Sequence, residues 1–201
     1  MLTEPSPNQN KKDLSVSMLA ANLYSIPIVL LVSAFTVTPF LLIWGMKPFR
    51  TGFNEFSNLF VFIPAVLIGV VLHEIIHAVS WKYLGRKSWD TIKIGFQWET
   101  ITPYAHCSEP VNVKVYRAGT IAPVIILGFI PVLIATISGN GWLMTFGFLF
   151  TVAAGGDFLI LWLIRKVNSD YLIEDHPERA GCYVLEKISG DNSEIIDKIN
   201  Q

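Results

Sequence analysis

Residues 57–81 read SNLFVFIPAVLIGVVLHEIIHAVSW, a stretch in which apolar side chains follow one another almost without a break. An α-helix rises 1.5 Å per residue, so the stretch is long enough to cross a hydrocarbon core of about 30 Å. A helix of a soluble protein would carry a continuous polar face instead. The stretch therefore predicts a membrane-spanning helix.

Three more stretches are as long and as apolar, and they cover residues 23–46, 118–139 and 141–164. The whole chain is 52% hydrophobic and 15% charged, whereas soluble domains are roughly 25% charged. We therefore predict an all-α transmembrane bundle of about four spans.

The charged residues indicate the orientation of these spans. Lys and Arg cluster in the connection 82–117 and directly after the fourth stretch, and such clusters mark the cytoplasmic side of a membrane. Both termini are therefore expected in the cytoplasm, with the protein in the cell (inner) membrane. Cys107 and Cys182 should then be free thiols. The formal net charge of −1, with no basic run among aromatic residues, gives no indication of a nucleic-acid partner.

Residues 91–116 change from a continuous apolar pattern to a period of two. Apolar side chains recur at every second position, first at Ile92, Ile94, Phe96 and Trp98 and then at Val111, Val113 and Val115. This period is typical of strands, and Pro103 and Pro110 supply breaks between them. We predict a small cytoplasmic β-sheet between spans two and three.

The second span carries the motif His73-Glu74-Ile75-Ile76-His77. On a helix, positions i and i+4 share one face, so both imidazoles can reach the same Zn²⁺. Glu74 is then placed beside a metal-bound water, which it can activate as a catalytic base. The pattern is that of a zinc-dependent hydrolase.

Asp157 is the remaining ionisable residue in the four apolar stretches. Such residues are costly inside a membrane and are candidates for a functional site. Asp157 precedes Arg165 by ~12 Å of helix, and His73 precedes Lys82 by ~13 Å, so the two lie at one depth. We therefore expect Asp157 to be the third metal ligand. It could instead be a packing or proton-relay group, and His106 or His176 could take its place as ligand or orient the substrate.

Three parts of the chain follow from these patterns. Residues 1–22 form a loose cytosolic tail, 23–166 a membrane metallopeptidase-like domain, and 167–201 a cytosolic C-terminal tail with a helix near its end. The predicted partners are the lipid bilayer and a membrane-protein or peptide substrate, which the strands at 91–104 would hold extended.

The chain resembles the site-2 protease type of intramembrane zinc metallopeptidase, in which an H-E-x-x-H span pairs with an Asp from a later span. It is also similar to a family of small bacterial membrane zincin peptidases, over roughly residues 65–186. The matching residues are 73–77, Thr102 to Cys107, Ala122-Pro123, Gly156-Asp157, and Asp175-His176-Pro177 with Gly181. The resemblance implies His73, His77 and Asp157 as ligands and Glu74 as catalytic carboxylate. The setting Gly-Gly-Asp-Phe departs from the Asp-Gly usual in site-2 proteases.

Two other functions remain open from the sequence. The same residues could form a non-catalytic metal-binding or proton-coupled membrane transporter, although no polar series continues toward the outer side of the spans. A degenerate peptidase could also act as a membrane scaffold. The leading prediction is a zinc-dependent endopeptidase acting on membrane or membrane-proximal peptide bonds.

Overall fold

This computed structural model describes residues 10–98, 102–177 and 179–186, which fold into a helical bundle with two small antiparallel sheets. The helices are α1 (Met18–Trp44), α2 (Met46–Phe56), α3 (Leu59–Leu84), α4 (Val113–Pro123), α5 (Ile130–Ser138), α6 (Gly141–Ala153) and α7 (Gly155–Leu163). A π-helical segment, Val124–Phe129, joins α4 to α5, and a 3₁₀ turn covers Trp89–Thr91. The strands are β1 (Asn10–Val16), β2 (Ile92–Gln97), β3 (Thr102–Cys107), β4 (Val111–Asn112), β5 (Leu172–Asp175) and β6 (Ala180–Glu186).

Among the described residues, three helical segments are long and apolar enough to cross a membrane: Met18–Trp44, Leu59–Leu84 and Val113–Ser138. The pair α6 and α7 also qualifies if it counts as one span bent by 45°. The prediction of a mainly helical chain with apolar spans is confirmed at this level. Large apolar side chains on these helices face outward, and Phe35 and Phe60 are 81% and 91% exposed. Such a surface is compatible with a multi-pass membrane protein.

Side-chain caps move two helix starts ahead of the predicted spans. The Ser17 hydroxyl accepts a hydrogen bond from the Ala20 N–H and begins α1 at Met18. The Asn112 side chain accepts one from the Lys114 N–H and begins α4 at Val113. The prediction that Val113 and Val115 lie in a strand is therefore wrong, because the cap turns the chain into a helix after a two-residue strand.

The amphipathic helix α2 was not predicted from the sequence. Gly45 adopts a φ of +74°, ends α1 and redirects the chain. α2 then packs against the N-terminal half of α6, and its Gly52 lies directly against the backbone of Gly141. A short amphipathic helix between two spans is typical of a segment at the membrane surface.

The larger sheet joins segments that are far apart in the chain. Its strand order is β1-β6-β5-β4, and all pairs are antiparallel. The prediction of a loose N-terminal tail is thus wrong for residues 10–16, which pair with Ala180–Glu186. The C-terminal tail contributes two strands to the same sheet, while the helix predicted near its end lies outside the described residues. The domain limits themselves stay a prediction.

The hairpin β2–β3 forms the second sheet, with Ile94 opposite Ala105. It confirms a small β-structure between the second and third spans. A core of buried side chains joins the larger sheet to the ends of α3, α4 and α7. Its members are Trp81, Cys107, Val111, Val113, Tyr116, Ile164, Ile173, Cys182 and Val184. The two cysteines in it are free thiols, as predicted.

Candidate metal centre

Helix α3 presents His73 and His77 one turn apart on the same face. The two Nε2 atoms lie 3.2 Å from each other, and the ring centroids are 4.9 Å apart. The helix continues unbroken through this motif, since residues 70–84 contain no Gly or Pro. The local sequence therefore sets the spacing of the two imidazoles.

Asp157 reaches the same point from α7. One carboxylate oxygen, Oδ2, lies 3.1 Å from His73 Nε2, and the other, Oδ1, lies 3.4 Å from His77 Nε2. Asp157 is in the first turn of α7, directly after the bend that separates this helix from α6. The bend at Ala154 therefore directs the carboxylate toward α3.

The three side chains fit a zinc ion. Ligand atoms at about 2.05 Å from a tetrahedral Zn²⁺ lie about 3.3 Å from one another. Here the two nitrogens are 3.2 Å apart, and each lies 3.1–3.4 Å from one of the two oxygens of the Asp157 carboxylate. Within the described residues, the buried Asp157 Oδ2 makes no hydrogen bond of good geometry, although His73 Nε2 lies 3.1 Å away. Two imidazole nitrogens and a carboxylate oxygen are also common zinc ligands. The geometry thus supplies three corners of a tetrahedron.

A hydrogen bond from α4 fixes the orientation of His77. Its Nδ1 lies 2.9 Å from the carbonyl oxygen of Gly119. A carbonyl oxygen only accepts, so Nδ1 carries the hydrogen and the Nε2 of the neutral ring keeps its lone pair. The indole of Trp81 stacks on the same imidazole, with ring centroids 5.7 Å apart and planes inclined by 15°. His77 is therefore held in the tautomer that a metal ligand needs.

Glu74 lies beside the three ligands and under the hairpin. Its side chain is buried, and its carboxylate accepts a hydrogen bond from the backbone N–H of Ala105 in β3. A buried carboxylate next to a metal-ligand set is suited to proton transfer. The strand β3 thus covers the residue that the motif marks as a base.

A second carboxylate, Asp175, connects β3 to the larger sheet and to α4. Its Oδ1 accepts a hydrogen bond of 2.6 Å from the Tyr116 hydroxyl, and its Oδ2 accepts one of 3.0 Å from the Cys107 N–H. Burial raises the pKa of Asp175. Asp175 is among the residues that resemble the zincin peptidase family in sequence, but no role was predicted for it, because its partners Cys107 and Tyr116 are distant in the chain.

The other two candidate ligands lie elsewhere. His106 faces Asp175, with Nδ1 3.6 Å from Oδ2. His176 follows β5, where its Nδ1 accepts a hydrogen bond from the Arg179 N–H and its ring packs against Tyr183. In the described part of the chain, the one group that could share a metal consists of His73, His77 and Asp157.

Comparison with known protein families finds a match over about half of the chain. Residues 66–172 match the model of the family described as "Putative zincin peptidase". The matched region begins within α3 ahead of the two histidines, includes the hairpin and α4 to α7, and ends at the start of β5. No curated protein and no solved structure matches the chain.

Proposed function

Because the chain belongs to the family described as "Putative zincin peptidase", we propose that it is a zinc-dependent membrane endopeptidase. It hydrolyses peptide bonds of membrane or membrane-proximal substrates. The observation that carries this proposal is the convergence of two imidazoles and a carboxylate at zinc-ligand distances. The family supports peptidase chemistry, and the geometry supports a metal at this point.

In this proposal His73, His77 and Asp157 bind the zinc and Glu74 moves protons. When bound, zinc polarises the scissile carbonyl and acidifies the attacking water. The Glu74 carboxylate accepts a proton from that water and donates it to the nitrogen of the leaving amine. The Ala105 N–H holds the carboxylate in place between the two transfers.

The hairpin β2–β3 is the element that would hold the substrate. A peptide must be extended for its carbonyl to reach a buried metal, and pairing with a sheet edge satisfies its backbone groups. Such pairing also helps to unwind a membrane helix, whose backbone cannot be left without hydrogen bonds in lipid. The position of β3 over Glu74 supports this role.

The proposal places four spans in the cell membrane, with both termini in the cytoplasm. The bent pair α6–α7 then counts as the fourth span. The site faces the cytoplasmic side, because α3 and α7 both lead from it toward the clusters of Lys and Arg.

Zinc analysis combined with a cleavage assay tests the proposed function. We expect the purified full chain to contain one zinc per molecule and to cleave a membrane substrate. Glu74→Gln should keep the zinc but lose activity by a factor of about 10²–10⁴. His77→Ala should lose both. Activity without metal would contradict the mechanism, and unchanged activity of Glu74→Gln would show that Glu74 is not the base.

A further inference from the structure

Pro123 leaves one carbonyl of α4 without its usual partner. In an α-helix the N–H of residue i+4 donates to the carbonyl of residue i, and proline has no N–H. The carbonyl deprived in this way belongs to Gly119. The next residue along, Val124, donates its N–H to Ile121 instead. The hydrogen bond that a residue other than proline at position 123 would donate to the Gly119 carbonyl is therefore absent.

That carbonyl is the one that His77 uses. The Gly119 oxygen lies 2.9 Å from His77 Nδ1, across the contact between α4 and α3. The approach is close because Gly119 has no side chain. A Cβ at this position would lie 2.8 Å from Trp81 Nε1, on the indole that stacks against His77.

The helix after Pro123 also departs from the α-helical pattern. Residues Val124–Phe129 are π-helical, and the Ile130 N–H donates to Ile125, five residues back. A proline displaces the hydrogen-bond ladder, and π-helical turns accommodate such displacements. The free carbonyl of Gly119 and the π-helical segment are thus two results of the same proline in the third span.

We propose that Pro123 is a positioning residue for His77. Because Pro123 has no N–H to donate to the Gly119 carbonyl, that carbonyl is free to accept a hydrogen bond from the His77 Nδ1–H. This fixes the tautomer whose Nε2 lone pair faces His73 and Asp157. The effect on the metal rests on the proposed function, whereas the effect on the tautomer does not.

The substitution Pro123→Ala tests this role in the full chain purified in detergent. Alanine restores an N–H that competes with His77 for the Gly119 carbonyl. We expect zinc affinity, measured by competition with a chelator, to fall about tenfold or more, as for other partners that orient metal-binding histidines. The temperature of unfolding should stay equal or rise, because the helix gains a hydrogen bond. A loss of packing alone would lower affinity and stability together.

A second measurement needs no metal. In metal-free protein labelled with ¹⁵N-histidine, at a pH alkaline enough to keep the imidazole beside Asp157 neutral, the nitrogen shifts of His77 should show the Nδ1–H tautomer in the unmodified chain. In Pro123→Ala they should show a mixture of tautomers. The assignment uses His77→Ala as a reference spectrum.

Pro64→Ala in α3 is the matched control, since it makes the same chemical change within another span. It should leave the zinc affinity and the His77 shifts unchanged. The proposal is wrong if Pro123→Ala keeps the affinity and the single tautomer, if its stability and affinity fall in parallel, or if Pro64→Ala has the same effects. A native chain that binds no zinc contradicts the proposed function instead, and the nitrogen shifts still decide the role of Pro123.

Discussion

Asp157 contributes the carboxylate that links α7 to the histidines of α3. We predict that Asp157→Asn, which keeps the size and removes the charge, lowers zinc affinity at least tenfold, since carboxylates bind zinc far better than amides. Zinc content after dialysis against a weak chelator measures the effect. Asp170→Asn is the control, because Asp170 is exposed and forms a long ion pair with Lys114, at 3.9 Å.

The same measurement of zinc content tests whether the third ligand is Asp157 or one of the two other candidates, His106 and His176. His106→Ala and His176→Ala should retain zinc, because both rings lie with Asp175, Arg179 and Tyr183 and outside the ligand group. Loss of zinc from either variant, with Asp157→Asn unaffected, would contradict the assignment of the third ligand.

Cys182 is a thiol whose protonation the fold controls. Burial, together with the nearby negative charges of Asp175 and Asp13, raises the pKa of Cys182 to about 12. The ordinary thiol value is about 8.5, so the folded chain keeps a proton that the unfolded chain has lost between these two values. The free energy of unfolding should therefore decrease as pH rises above about 8.5.

Because the Cys182 thiol keeps its proton in the folded chain, we predict that it reacts slowly with alkylating reagents. At pH 8, iodoacetamide should leave Cys182 unmodified in the native protein and alkylate it after denaturation, because the thiolate is the nucleophile. Mass spectrometry of peptides measures the two states. Rapid alkylation of the native protein at Cys182 would show that the strand β6 opens or that the thiol is not buried.

The residues of the candidate site could largely be predicted from the sequence, because the pattern that marks them is local. His73, Glu74 and His77 lie within five positions of one helix, and Asp157 stands out as an ionisable side chain in an apolar stretch. The Gly119 carbonyl has no such signature, since every residue carries one. This carbonyl is free to accept from His77 because Pro123, four residues later, has no N–H. That relation can be recognised in the sequence only once α4 is known to be a helix.

At the scale of elements, Asp175 joins three of them. It lies at the end of β5 and accepts hydrogen bonds from β3 and α4. Asp175→Ala would leave the buried Cys107 N–H and Tyr116 O–H without acceptors, at a cost of about 1–3 kcal/mol for each group. We expect a clear fall in unfolding temperature, measured in detergent. Asp175→Asn keeps an acceptor at this point and should have a smaller effect. Equal effects of the two variants would contradict the hydrogen-bond role.

The contact between α2 and α6 is a contact between backbones. A Cβ at Gly52 would lie 1.9 Å from the Gly141 carbonyl carbon, where no side chain can move away. Gly52→Ala should therefore separate the two helices and lower the unfolding temperature. Gly156→Ala provides a matched control, because a Cβ there meets no described atom within 4 Å. Similar unfolding temperatures for both variants would mean that α2 does not pack closely on α6.

The elements that could not be predicted from the sequence are those that depend on partners distant in the chain. β1 is mostly polar and β6 mostly apolar, and neither shows a sustained alternation that predicts a strand. Each becomes a strand through pairing with the other. The start of α4 was not predicted because the valines at 111, 113 and 115 alternate as in a strand. In the structure the Asn112 side chain caps the chain and starts a helix. The long spans were predicted because their signal is composition over many residues.

At the scale of the whole molecule, the four-stranded sheet constrains the path of the chain. β1 precedes α1, β4 lies between α3 and α4, and β5 and β6 follow α7, yet all four strands belong to one sheet. An open sheet cannot extend across a bilayer, because its edges would leave backbone groups without hydrogen bonds. In the proposed membrane arrangement all four strands therefore lie on the same side, and the chain crosses an even number of times between β1 and β4 and again between β4 and β5.

This parity favours four crossings over three, with α6 and α7 as one bent span. We predict that a reporter active only outside the cytoplasm, fused after Asn140, is active, and that the same reporter fused after residue 186 or before β1 is inactive. An inactive fusion at Asn140 would mean that α4 and α5 re-enter the membrane without crossing it.

The hydrogen bond from the Cys107 N–H to Asp175 joins residues 68 positions apart. Ribosomes add about 5–20 residues per second, so the motif of α3 and the hairpin β2–β3 are translated several seconds before Asp175. Until then the Cys107 N–H lacks its acceptor in β5. In the proposed peptidase, the hairpin over Glu74 is therefore anchored only after β5 has been translated.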